Sequence, residues 1–226
     1  MSAITRTGTA TARRSFMARL AAGIGAGGAA LVAGTPLAAQ APKGFTPRRH
    51  AEDDWLDTLG TQHRFVFDTT TTAAFSNTLR FARNFLNANQ SGYGLKDEDS
   101  GVVIVARHHS TPFAYNDALW AKYGATLNTF ANPGAPTGKV PSINPFQDTT
   151  SVDVTLGALL KRGAHFAVCG MATRFLAGQI AKATTGNADT IHAEIAANLV
   201  FSAHLMAAGI LAVNRAQERG YTLATA

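Results

Sequence analysis

From residue 63 onward the chain alternates two hydrophobic rhythms. His63-Arg64-Phe65-Val66-Phe67-Asp68 is a short apolar run that predicts a strand, and the threonines after it supply a helix cap near Thr72. Phe75, Leu79, Ala82 and Leu86 then recur at helical spacing, which predicts a helix over 73–90 that Ser91-Gly92-Tyr93-Gly94 breaks. Val102-Val103-Ile104-Val105-Ala106 is nearly continuous in β-branched residues, the pattern of a strand buried on both faces. Arg107-His108-His109-Ser110-Thr111-Pro112 reads as the loop after it, and 113–123 as a helix carrying Phe113, Leu119, Trp120 and Tyr123. Residues 124–149 are rich in proline and glycine and read as one long loop, a lid, a binding loop or an oligomer contact.

The second half repeats the rhythm. A helix over 152–162 ends at Gly163, which suits the left-handed position just past a helix. A strand follows at 164–169, then helices over 171–184 and from Gly186-Asn187 to about 198. A strand near 200–206, a helix ending at Glu218-Arg219-Gly220 and a strand at Tyr221-Thr222-Leu223 complete the series. This order predicts an α/β three-layer sandwich over 61–226: a mainly parallel sheet of about five strands with helices on both faces.

The first forty residues follow a different pattern. Arg6, Arg13, Arg14 and Arg19 precede a Gly/Ala-rich apolar stretch over 20–34, and Ala39-Gln40-Ala41 resembles a cleavage site, with Pro42 after the cut. Paired arginines before a mildly apolar stretch are the pattern of a twin-arginine leader, so 1–41 is expected to be an export signal and the periplasm the destination. The apolar stretch of about fifteen residues is short for a membrane span, which needs roughly 20. Residues 42–60 read as a linker or N-terminal arm, ordered in part by Trp55 and Leu56 docking on the body. The leader also changes the charge. The whole chain carries +6, from 20 basic and 14 acidic residues; without the four leader arginines it carries +2. That balance gives no case for nucleic acid or a membrane surface as partner, and no span is expected in the mature chain.

Candidate chemistry gathers at the carboxyl ends of two strands, the edge where parallel sheets place ligands. Cys169 is the one cysteine, so no internal disulfide framework exists. It ends a strand just before a helix whose amides, with Arg174 one turn in, favour a thiolate. The opposing reading is a small buried hydrophobe, since free cysteine is among the most buried residues. His108 and His109, with Arg107, end the other strand; Asn116, Asp117 and Trp120 are placed to line the same pocket. Asp117 is also expected to pair with Arg107 or to cap its helix. The histidines match no standard zinc spacing, so no metal or other cofactor is expected. His165, His192 and His204 fall on apolar or amphipathic segments and read as structural. No phosphate-binding glycine loop is present.

Two stretches then suggest a family. Leu159-Leu160-Lys161-Arg162-Gly163-Ala164-His165-Phe166-Ala167-Val168-Cys169 is similar to the helix, glycine, strand and terminal cysteine of the DsrE/DsrF-like (sulfur-relay) proteins. Ala208-Gly209-Ile210-Leu211 through Gln217-Glu218-Arg219-Gly220-Tyr221 resembles their closing stretch. The resemblance covers about 63–226 and implies a homotrimer or homohexamer, a small sulfur compound as ligand, and a persulfide on the cysteine at 169. The leader and the Arg107-His108-His109 loop depart from the family pattern. Two readings therefore stand beside each other: an exported protein carrying sulfane sulfur on Cys169, with no decision on whether it is an enzyme, and a non-catalytic oligomeric module with a buried cysteine that binds a small ligand or redox partner. A third, weaker expectation is a metal or haem protein using the histidines.

Overall fold

A computed structural model describes Gly44 and residues 46–134, 140–147 and 154–226. The leader, its cleavage site, and residues 135–139 and 148–153 lie outside the described residues. The body spans Pro47–Ala226. Among the described residues five strands form one parallel sheet: β1 (His63–Thr69), β2 (Ser100–Ala106), β3 (His165–Cys169), β4 (Ala203–Met206) and β5 (Thr222–Thr225). Their order is β4-β3-β2-β1-β5, and every neighbouring pair is parallel.

Both faces of the sheet's centre are covered, which is why β2 and β3 are apolar at nearly every position. Phe67, Val102, Ile104, Ala106, Phe166 and Val168 face one layer. That layer holds α1 (Thr72–Tyr93), α2 (Asp117–Ala131), α3 (Leu156–Lys161), α4 (Gly170–Thr184) and α5 (Ala188–Ala197). Val66, Val103, Val105, Ala167 and Met206 face the other, where α6 (Gly209–Gln217) packs through Ala212, Val213 and Ala216. The first three crossovers run on one face. The return from β4 to β5 runs on the other and moves the opposite way along the sheet, so every crossover keeps the same hand. This is the expected α/β sandwich.

The arm before β1 belongs to the α6 layer. Ala51–Thr58 forms a 3-10 helix whose Leu56 is buried in that second core. Tyr221, just before β5, donates its hydroxyl hydrogen to the Leu56 carbonyl at 2.7 Å. Trp55 stacks on His204, with ring centres 3.8 Å apart. His204 in turn meets His165, Nε2 to Nδ1 at 3.0 Å. The indole Nε1 of Trp55 is buried without a partner.

Several element boundaries differ from the expectation. Ser91, Gly92 and Tyr93 belong to α1 instead of breaking it, and Gly94 ends it as a left-handed cap. Arg107–Pro112 is not an open loop: His108–Ala114 is a 3-10 helix, and the α-helix starts only at Asp117. Asn116 sets that start by accepting a hydrogen bond from the Leu119 amide at 3.2 Å. The helix then runs to Ala131, so 124–131 is helical rather than loop. Residues 140–147 lie against the body, with Phe146 in the core and the Asn144 amide donating to the carbonyls of Phe113 and Tyr115.

Candidate functional site

The site is built at the carboxyl edge of β1, β2 and β3. Arg107 leaves β2 and turns back onto Asp68 at the end of β1. Its Nε and Nη2 donate to the two carboxylate oxygens, each at 2.7 Å. Asp68 is almost wholly buried, so this bidentate pair fixes the guanidinium plane. The turn after it is fastened by Ser110, whose hydroxyl accepts from the Arg107 amide at 3.0 Å and lies 2.9 Å from the Thr69 carbonyl. Asp68 also raises the Arg107 pKa, so the side chain stays a cation.

His108 takes a left-handed backbone, φ 54°. A non-glycine residue held there costs of order 1–3 kcal/mol and marks places where side-chain direction matters. Burial, with the charges of His109 and Arg107 beside it, pushes its pKa down, so the ring is neutral at pH 7. His109 lies against it, ring centres 3.9 Å apart, and its Nδ1 is 2.6 Å from the Phe130 carbonyl. A carbonyl only accepts, so Nδ1 carries the hydrogen, and in the neutral ring Nε2 keeps the lone pair.

Cys169 ends β3 and is the N-cap of α4. Its sulfur accepts from the Ala172 amide at 3.5 Å, using one of the orphan donors of the first helical turn. The residue is 8% exposed. The start of α6 closes the site: a Cβ placed on Gly209 would lie 2.4 Å from the Arg107 Cβ and 3.2 Å from the Cys169 Cβ. Only glycine lets this helix approach so closely.

Together these groups enclose a cavity of about 650 Å³. Its polar lining includes Arg107, His108, His109 and Cys169. Its apolar lining includes Phe130, Phe175, Met171 and Ile210. The thiol therefore shares one concavity with the paired histidines. Four other candidates, Asn116, Asp117, Trp120 and Arg174, do not join it. Asn116 and Asp117 sit at the opposite end of α2 from Phe130, about 20 Å away by helix rise. There Asn116 caps the helix and contacts Asn198, and Asp117 accepts from the Asn144 amide at 2.8 Å instead of pairing with Arg107 or capping. Trp120 is buried and donates Nε1 to the Pro112 carbonyl. Arg174 pairs with Asp189 beside a neighbouring groove that shares only Met171 with the cavity. Among the described residues no three His, Cys, Asp or Glu side chains are grouped to hold a metal ion.

Three parts of the site were not foreseen from sequence. Asp68 shows in the sequence only as the end of a strand; Gly209 contributes the lack of a side chain; Phe130 falls in the segment whose prolines and glycines suggest a loop. No protein-family model, no curated protein and no solved structure matches this chain.

Proposed function

We propose that this cavity binds a small sulfane-sulfur compound and that Cys169 carries its sulfur as a persulfide. The observation that carries the reading is the thiol at the cavity wall, capping α4, beside a fixed cation and two histidines. The resemblance of 159–169 and 208–221 to DsrE/DsrF-like proteins supports it, and export to the periplasm and assembly into homotrimers or homohexamers belong to the same proposal. In the transfer the Cys169 sulfur attacks the outer sulfur of R–S–SH. One S–S bond breaks and one forms, giving Cys169–S–SH and R–SH. No electrons leave the pair of reactants, so no oxidant is needed.

The second reading, a binding module whose cysteine does not react, is favoured by the low exposure of Cys169. One experiment decides between them. Native protein incubated with an organic persulfide, R–S–SH, is expected to gain about 32 Da per sulfur carried, and Cys169→Ser to gain nothing. A wild-type chain that gains no mass, and that iodoacetamide alkylates only after denaturant is added, establishes the second reading.

A further inference from the structure

We propose that the cavity selects an organic anion: an apolar body bearing a single terminal negative charge, with that charge seated at Arg107 and the amino end of α6. The proposal rests on this cavity being the working site, and it deepens that reading by naming the donor class as an organic persulfide rather than an inorganic sulfane. It does not require Cys169 to react.

Three observations converge. First, Asp68 engages Nε and Nη2 of Arg107 and leaves Nη1 as the nitrogen with no partner among the described residues. Asp68 has both oxygens committed to Arg107 and is buried behind it, while Arg107 lines the cavity. A guanidinium held so on one edge offers the other to an incoming acceptor at little entropic cost. Second, α6 begins at the same wall, through Ala208, Gly209 and Ile210, and no side chain caps it. The first-turn amides of a helix are orphan donors at the positive end of its dipole, so they add to the pull on a negative group. The α4 start is different, because Cys169 already caps it. Third, the rest of the lining is apolar, and its rim leaves large side chains open: Met171 is 70% exposed, Ile210 60% and Phe175 55%. A hydrated inorganic ion would leave these surfaces bare, whereas an alkyl or aryl body covers them. The volume lies within the usual range for small-molecule sites, roughly 300–1,000 Å³. His108 and His109 stand beside the cation and add hydrogen-bonding atoms without adding charge of the wrong sign.

The test uses the full chain carrying Cys169→Ser, which removes covalent chemistry, and calorimetry with four probes: octanoate, octanol, octylamine and sulfate. Octanoate is expected to bind. Octanol, which lacks the charge, and sulfate, which lacks the tail, are each expected to bind about tenfold more weakly, and octylamine more weakly still. Octanol or octylamine equal to octanoate would remove the anion seat; sulfate equal to octanoate would remove the apolar requirement; no binding of octanoate would remove both. Any of these overturns the proposal. The paired variant Asp68→Asn/Arg107→Gln replaces the ion pair without stranding a buried charge. It is expected to lose the preference for octanoate over octanol while circular dichroism remains native. If that variant does not fold, the ranking of the four probes still decides. Failure here is separable from failure of the sulfur reading. Octanoate binding with no sulfur adduct on the wild-type chain sinks only the persulfide, and an adduct formed without octanoate binding sinks only the anion seat.

Discussion

At the scale of single residues the site depends on an atom that is missing. Gly209 lets α6 meet Arg107 and Cys169 at once, and a methyl group there would fall 2.4 Å from the Arg107 Cβ. Neither neighbour yields easily, because Arg107 is pinned to Asp68 and Cys169 caps α4. Gly209→Ala is therefore expected to destabilise the fold by about 1–3 kcal/mol, the range for overpacking, and to weaken octanoate binding. Urea unfolding and the same calorimetry check both effects. Cys169 was legible as a candidate because a short apolar run followed at once by a helix places its last residue at the strand edge. Asp68 was not legible in its role. Its partner depends on β1 lying beside β2 in a register that sets Asp68 opposite Val105, and register is a property of the assembled sheet. Asp117 was expected to pair with Arg107 or to cap its helix, but the 3-10 turn carries the chain away from Arg107 before α2 begins and Asn116 is the cap.

At the scale of elements the 3-10 arm is tied to the sheet by a stack of rings. Trp55 covers His204, and His204 meets His165. Burial first, then the charge of His165, pushes the His204 pKa down to about 4. Burial also lowers that of His165. An unfolded histidine titrates near 6.5. Between about pH 6.5 and 4 the unfolded chain thus binds more protons than the native one, and stability falls as pH drops through that window. Full linkage would be about 3 kcal/mol; with much of the ring open to solvent, about 1–2 kcal/mol is expected. His204→Phe keeps a ring under Trp55 and removes the titration, so most of this acid loss should vanish from urea midpoints measured between pH 7 and 4. Sequence placed these histidines on strands as structural groups, but the stack joins β3, β4 and an arm that are distant in the chain. The α2 boundary shows another limit. The prolines and glycines from Pro133 onward drew 124–131 into the loop, yet these residues are helical, and Gly124 is glycine because the Pro141 carbonyl would lie 2.3 Å from a Cβ there. Its reason is a tertiary contact, and no local pattern encodes it.

At the scale of the whole molecule the alternation of strand and helix was readable because the central strands are covered on both sides and each crossover needs its own amphipathic helix. The strand order was not readable, since several orders satisfy the same alternation. The observed order puts the seven-residue β2 at the centre and four-residue strands at both margins. Short margins offer little backbone for pairing with another chain. They also set a gradient of local stability. In native-state hydrogen exchange the amides of 102–106 should be the last to exchange and those of 203–206 and 222–225 the first. Equal protection across the sheet would contradict this order. Among the described residues no helix is long and apolar enough to cross a membrane.

The close fit of α6 against the thiol has a temporal consequence. Arg107, Cys169 and Gly209 arrive by three successive crossovers, so the sulfur stays bare until the last of them has docked. During that interval the thiol is more open than in the folded protein, where it is 8% exposed. Oxidation of that one sulfur is therefore the hazard of the stretch of folding before the final helix lands.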